Sequence, residues 1–144
     1  MTERIVVGFD ASAAARRAVD HALASAKGAG AQIVLAHVLE WSPYSFLTKE
    51  EVEERHARRT EELERANAAI MAPLVAELAA AGITVETEIR YGHVADTLIA
   101  IANEHKAGSI VAGRTGGAGL AARLFGSVAG TLAQVSPVPV TIVP

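Results

Sequence analysis

The chemistry-bearing part of this chain is Gly113-Arg114-Thr115-Gly116, followed after nine residues by Gly126-Ser127. Glycines around a short polar stretch let main-chain N–H groups converge on an anion, because no Cβ blocks the approach and positive φ is open. Gly117 and Gly119 extend the same stretch. Ser127 stands ahead of an apolar segment, Val128 to Val135, where its hydroxyl can cap a helix or meet a phosphate oxygen. Nucleotide binding is the leading reading, and a loop that merely needs positive φ is the plain one. No Gly-Lys-Ser or Gly-Lys-Thr follows, so this is not the P-loop that carries its own lysine to the β- and γ-phosphates. Arg114 either supplies that charge or is simply solvated.

A second candidate is Asp10, which closes the apolar run Ile5-Val6-Val7-Gly8-Phe9. Its carboxylate can cap the following helix, as can Ser12, or face a ligand, and the two roles are compatible. That strand ends in Gly8-Phe9-Asp10 and not in a glycine triplet, which departs from the dinucleotide-binding fingerprint.

These groups need a scaffold. The run Ile5–Phe9 and the run Ile33–Val38 are continuous, apolar and rich in β-branched residues, as expected of strands buried on both faces. Ala13 to Lys27 predicts a helix stopped by Gly28-Ala29-Gly30. Trp41 to Thr48 breaks the regularity and predicts a loop. From Thr48 or Lys49 to Ala81 the pattern predicts one long helix. It is charged in its first half, with Glu51/Arg55, Glu54/Arg58 and Glu61/Arg65 at i, i+4, and apolar along Leu63, Ile70, Leu74 and Leu78 in its second. Pro73 should kink or split it. Ile83 to Arg90 alternates as a half-covered edge strand. Gly92 opens a helix over His93–Lys106. Ile110–Ala112 and Val138–Val143 complete the strands.

Strands that alternate with helices in this way predict a single domain over 1–144. Its fold class is α/β: an open, doubly wound sandwich with a five-stranded parallel sheet and helices on both faces. Ligands of such sheets bind beyond the carboxyl ends of the strands, where the strand order reverses. The loops after Asp10, after Val38 and after Gly113 therefore belong together.

Composition narrows the classes. Thirteen Lys and Arg against 16 Asp and Glu leave a net charge of -3, which argues against a nucleic-acid partner. There is no cysteine, and the five histidines (His21, His37, His56, His93, His105) show no metal spacing on a common helix face. His37 reads as a satisfied, partly buried imidazole, and His93 could face the site. No stretch reaches the roughly 20 apolar residues that span a bilayer. No signal-like segment opens the sequence, so a cytoplasmic location is expected. No nucleophile elbow is present.

Together these segments resemble the universal stress protein family, in its ATP-binding branch. The family's phosphate-loop signature is Gly, two residues, Gly, nine residues, Gly, then Ser or Thr. Gly113, Gly116, Gly126 and Ser127 match it without a gap. Ile5 to Asp10, Ala36-His37-Val38 and the tail Ser136 to Val143 resemble the family's first, second and last strands, so the similarity covers essentially the whole chain.

The resemblance implies a Rossmann-like adenine-nucleotide fold. Asp10, with Gly8 nearby, would lie by the base or ribose. Val38 would meet adenine through its backbone and apolar side chain. Gly113 to Gly119 (with Arg114, Thr115, Gly116 and Gly117) would wrap ribose and phosphates, and Gly126, Ser127 and Val128 would hold the polyphosphate. Mg²⁺ or Mn²⁺ would be bound chiefly by phosphates and water. It also implies a homodimer through Val138–Val143. Gly108-Ser109 departs from the family, which often carries an acid there.

The function expected is ATP-dependent stress signalling by a binding protein. One alternative is a slow ATPase or autophosphorylating protein with Ser127 or Thr115 as acceptor, positioned without an evident general base. The other is a nucleotide-free adaptor.

Overall fold

Apolar, β-branched runs sit where the chain crosses its own centre. In this computed structural model, which describes residues 3–40, 49–114 and 126–144, they form one parallel sheet. The strands are β1 (Arg4–Gly8), β2 (Gln32–Glu40), β3 (Val85–Gly92), β4 (Ser109–Gly113) and β5 (Val140–Val143). Their order is β3-β2-β1-β4-β5, every pair parallel. The helices are α1 (Ala13–Ala29), α2 (Lys49–Ala66), α3 (Ala72–Ala80), α4 (Val94–His105) and α5 (Gly126–Val135).

Strand alternation divides the core in two. Ile5, Val7, Ile33, Leu35 and Val111 pack against Ala18, Val19 and Ala22 of α1 and Leu74 and Leu78 of α3. Val6, Val34, Ala36, Ile110 and Ala112 pack against Leu98 and Ile101 of α4 and Leu132 of α5. Ile33, Leu35, Leu98, Ile101, Ile110 and Leu132 are wholly buried, and each such side chain contributes about 1.5–3 kcal/mol. The core is thus aliphatic, as the scarcity of aromatic residues requires.

Element boundaries differ from the sequence reading at places with local causes. α1 runs through Gly28 to Ala29, and the residue that stops it is Gly30, at φ 66°, whose N–H returns to Ala26 O. Pro73 does split the long helix, but the irregularity lies ahead of it. Asn67–Met71 forms a π turn in which Ala72 N–H reaches Asn67 O, and α3 restarts with the proline in its first turn. That slip lets Met71, Leu74 and Leu78 bury together. Gly92 ends β3 and does not begin α4, whose N-cap is His93. β5 starts at Val140 and not Val138. Ser136 Oγ holds a turn on Val138, accepting from its N–H and donating to its carbonyl, and Pro139 brings no N–H to the ladder. The Trp41–Thr48 loop lies outside the described residues.

Candidate nucleotide site at the sheet's switch point

β1 is the strand from which the chain turns both ways, to β2 on one side and β4 on the other. The ends of β1, β2 and β4 are therefore neighbours, as the sequence required. Gly8 pairs with Ala36, Val7 with Val111, and Gly113 closes β4 opposite Val143.

Beyond Gly8 the chain makes a tight, well-bonded turn. Phe9 N–H donates to Ala36 O at 2.8 Å, and Phe9 O accepts from the His37 ring at 2.7 Å. The exposed Asp10 carboxylate takes Ser12 N–H through Oδ1 at 3.0 Å. Ala11 sits in the left-handed region at φ 65°, a conformation that costs a residue bearing a Cβ on the order of 1 kcal/mol. Ser12 Oγ then accepts Ala15 N–H at 3.1 Å. Of the two candidate caps, the N-cap of α1 is Ser12, while Asp10 braces the turn before it and keeps its second oxygen unused by this bond.

Gly113 lies directly against the start of α1. A Cβ there would come within 2.8 Å of the Ala14 carbonyl carbon and 2.9 Å of Ala15 N. Glycine is needed at this position so that β4 and the first turn of α1 can meet. Arg114 is exposed, and its N–H donates to Val143 O at 2.6 Å. Arg17 Nε reaches Pro144 O at 2.7 Å, so α1 also holds the end of β5.

The other predicted site residues divide clearly. Gly8 faces Leu98 of α4, where a Cβ would meet Cδ1 at 3.1 Å, so it has a packing reason to be glycine. Val38 is half-buried and, like Val128, packs on the α4 side of the core. Ser127 is the second residue of α5, inside the helix and not at its N-cap as the sequence suggests. Thr115, Gly116, Gly117 and Gly119 lie outside the described residues. His93 is exposed and its side chain makes no capping bond.

His37 is buried, as expected, and what the sequence could not supply is its partner. A carbonyl oxygen only accepts, so Nδ1 must carry the hydrogen. Among the described residues no group of three His, Asp or Glu side chains could hold a metal ion. Nor is any described helix long and apolar enough to cross a membrane.

The sequence model of the universal stress protein family matches residues 1–144. The chain belongs to this family. Among solved structures it is similar to a universal stress protein from Lactobacillus plantarum, with 25% identity, coverage of 99% of this chain and 97% of that one, and a TM-score of 0.82. It is also similar to a universal stress protein in complex with cAMP, with 30% identity, coverage of 99% and 96%, and a TM-score of 0.62. A universal stress protein from Archaeoglobus fulgidus in complex with dAMP shares the fold at 22% identity, over 100% and 98% of the two chains, with a TM-score of 0.62. The comparison with curated proteins gives no match. For a universal stress protein, the α/β sandwich and its β1/β4 switch point are the expected frame, and both are present here.

Proposed function

We propose that this universal stress protein binds an adenine nucleotide, ATP, in the crevice beyond β1, β2 and β4. In this reading its occupancy is the signal that the protein carries as a cytoplasmic homodimer. The observation that carries the reading is the turn Phe9-Asp10-Ala11. It is braced by its bonds to His37 and Ser12 at the point where strand order reverses, and it carries an exposed carboxylate.

The relative solved with cAMP supports the choice of adenine. The predicted contacts are Asp10 with base or ribose and Val38 with adenine. The main chain from Gly113 through Thr115, Gly116, Gly117 and Gly119 follows the ribose and phosphates, and Gly126, Ser127 and Val128 hold the polyphosphate. Mg²⁺ or Mn²⁺ bound by the phosphates and water would neutralise charge that no lysine in the loop neutralises. Dimerisation through Val138–Val143 fits a strand that is the last of its sheet and carries half-buried Val140, Ile142 and Val143.

Calorimetric titration with ATP tests this. The unmodified protein is expected to bind, Asp10→Ala to bind more weakly, and Ser127→Glu to lose binding through charge repulsion. Equal heats for all three proteins would refute the assignment. Gly113→Ala is a poor probe, because its Cβ strains the contact with α1 whether or not nucleotide is present.

A further inference from the structure

The β1–β2 ladder stops one bond early, at a carbonyl that a side chain occupies. Residues of β2 address their two neighbours alternately: Gln32 N–H goes to Glu3 O on the β1 side, and Ile33 N–H goes to Thr84 O on the β3 side. By the same parity Val38 N–H points to the β1 side. There the paired register ends at Gly8 and Ala36, although Phe9 N–H still donates to Ala36 O at 2.8 Å. In a continued parallel ladder the next bond would run from Val38 N–H to Phe9 O. Phe9 O instead receives the His37 Nδ1 hydrogen at 2.7 Å, from a residue that is only 7% exposed.

We propose that His37 is a positioning residue for ligand binding: by taking Phe9 O it holds the Asp10 turn and leaves the Val38 main-chain N–H open at the switch point, as a donor for a ring nitrogen of adenine. This rests on the adenine-nucleotide reading above and deepens it. One buried side chain thereby governs both a main-chain donor at the end of β2 and the turn that carries the Asp10 carboxylate.

The test uses the full chain, with His37→Leu and His37→Asn. Leucine fills the volume but offers no donor, while the Asn Nδ2 hydrogens stand near the imidazole Nδ1 position. In the unmodified protein without nucleotide, the Val38 amide should exchange with solvent much faster than Ala36, and ATP should protect it. His37→Leu should protect Val38 before ATP is added, as its N–H closes on Phe9 O, and should weaken ATP binding about tenfold. His37→Asn should restore both. An unchanged Val38 exchange rate in His37→Leu, or unchanged ATP affinity, would overturn the proposal. If the unmodified protein bound no ATP, the nucleotide reading itself would fall, and the exchange rates alone would decide whether His37 truncates the ladder.

Discussion

Alanine at Gly113 isolates the contact on which the site is built. The new Cβ would lie 2.8 Å from the Ala14 carbonyl carbon, 2.9 Å from Ala15 N and 3.0 Å from Ala14 Cβ, where ordinary contact begins near 3.4 Å. These neighbours are the fixed first turn of a capped helix, not the end of a flexible side chain. β4 and α1 must therefore separate by several tenths of an ångström, and overpacking of this kind costs about 1–3 kcal/mol. For 144 residues the unfolding entropy is about 0.3 kcal/mol per kelvin, so Tm should fall by about 3–10 °C. Gly130 is the control. It is inside α5, with nothing within 4 Å of a Cβ, and alanine there gains up to about 1 kcal/mol of helix propensity and raises Tm by about 3 °C. Differential scanning calorimetry of both variants reads the contrast. A Gly113→Ala protein melting within about 1 °C of the parent, or both variants moving in the same direction, would refute the claim that steric contact with α1 fixes this glycine.

Ser12→Ala removes the α1 cap and should cost about 1 kcal/mol, a drop of about 3 °C in the same calorimeter. Tyr91 tests the α2 contact. Burial first, and then its hydrogen bond to Glu62, push its hydroxyl up to about 12, while Arg59 stacks 4.9 Å from the ring centroid. Its folded value lies above the unfolded one. The contribution is therefore complete below about pH 10, the ordinary tyrosine value, and is lost as pH rises through about 12. Tyr91→Phe should abolish the phenolate absorbance that develops there.

The elements were legible where burial dictates composition. Ile5–Phe9 and Ile33–Val38 read as strands because both faces of each are covered, and two such strands with intervening helices leave few topologies open. Turn chemistry was readable as a set of candidates, but not as a choice among them. Asp10 and Ser12 are both capping residues, and only φ and the bond geometry assign the cap to Ser12. Pro73 announced a break, yet where a helix relieves the missing N–H depends on which of Ile70, Met71 and Leu74 must reach the core. The His37–Phe9 bond was unreadable because it joins residues 28 apart in sequence and depends on how two strands register. Close packing, against the Leu98 side chain at Gly8 and against the backbone of α1 at Gly113, explains these positions more directly than ligand chemistry does, although a glycine signature in sequence reports both in the same letters.

The two rims of the sheet are unlike, and that has a consequence for assembly. β3 is flanked by an ionic ladder: His105 joins Glu86 and Glu88, and Arg90 joins Glu88 and Glu104. β5 offers Val140, Ile142 and Val143 behind two prolines. If like strands meet across a two-fold axis at β5, the enlarged sheet presents only charged margins to further copies. Growth then halts at a pair, and the same polarity that permits association forbids a filament.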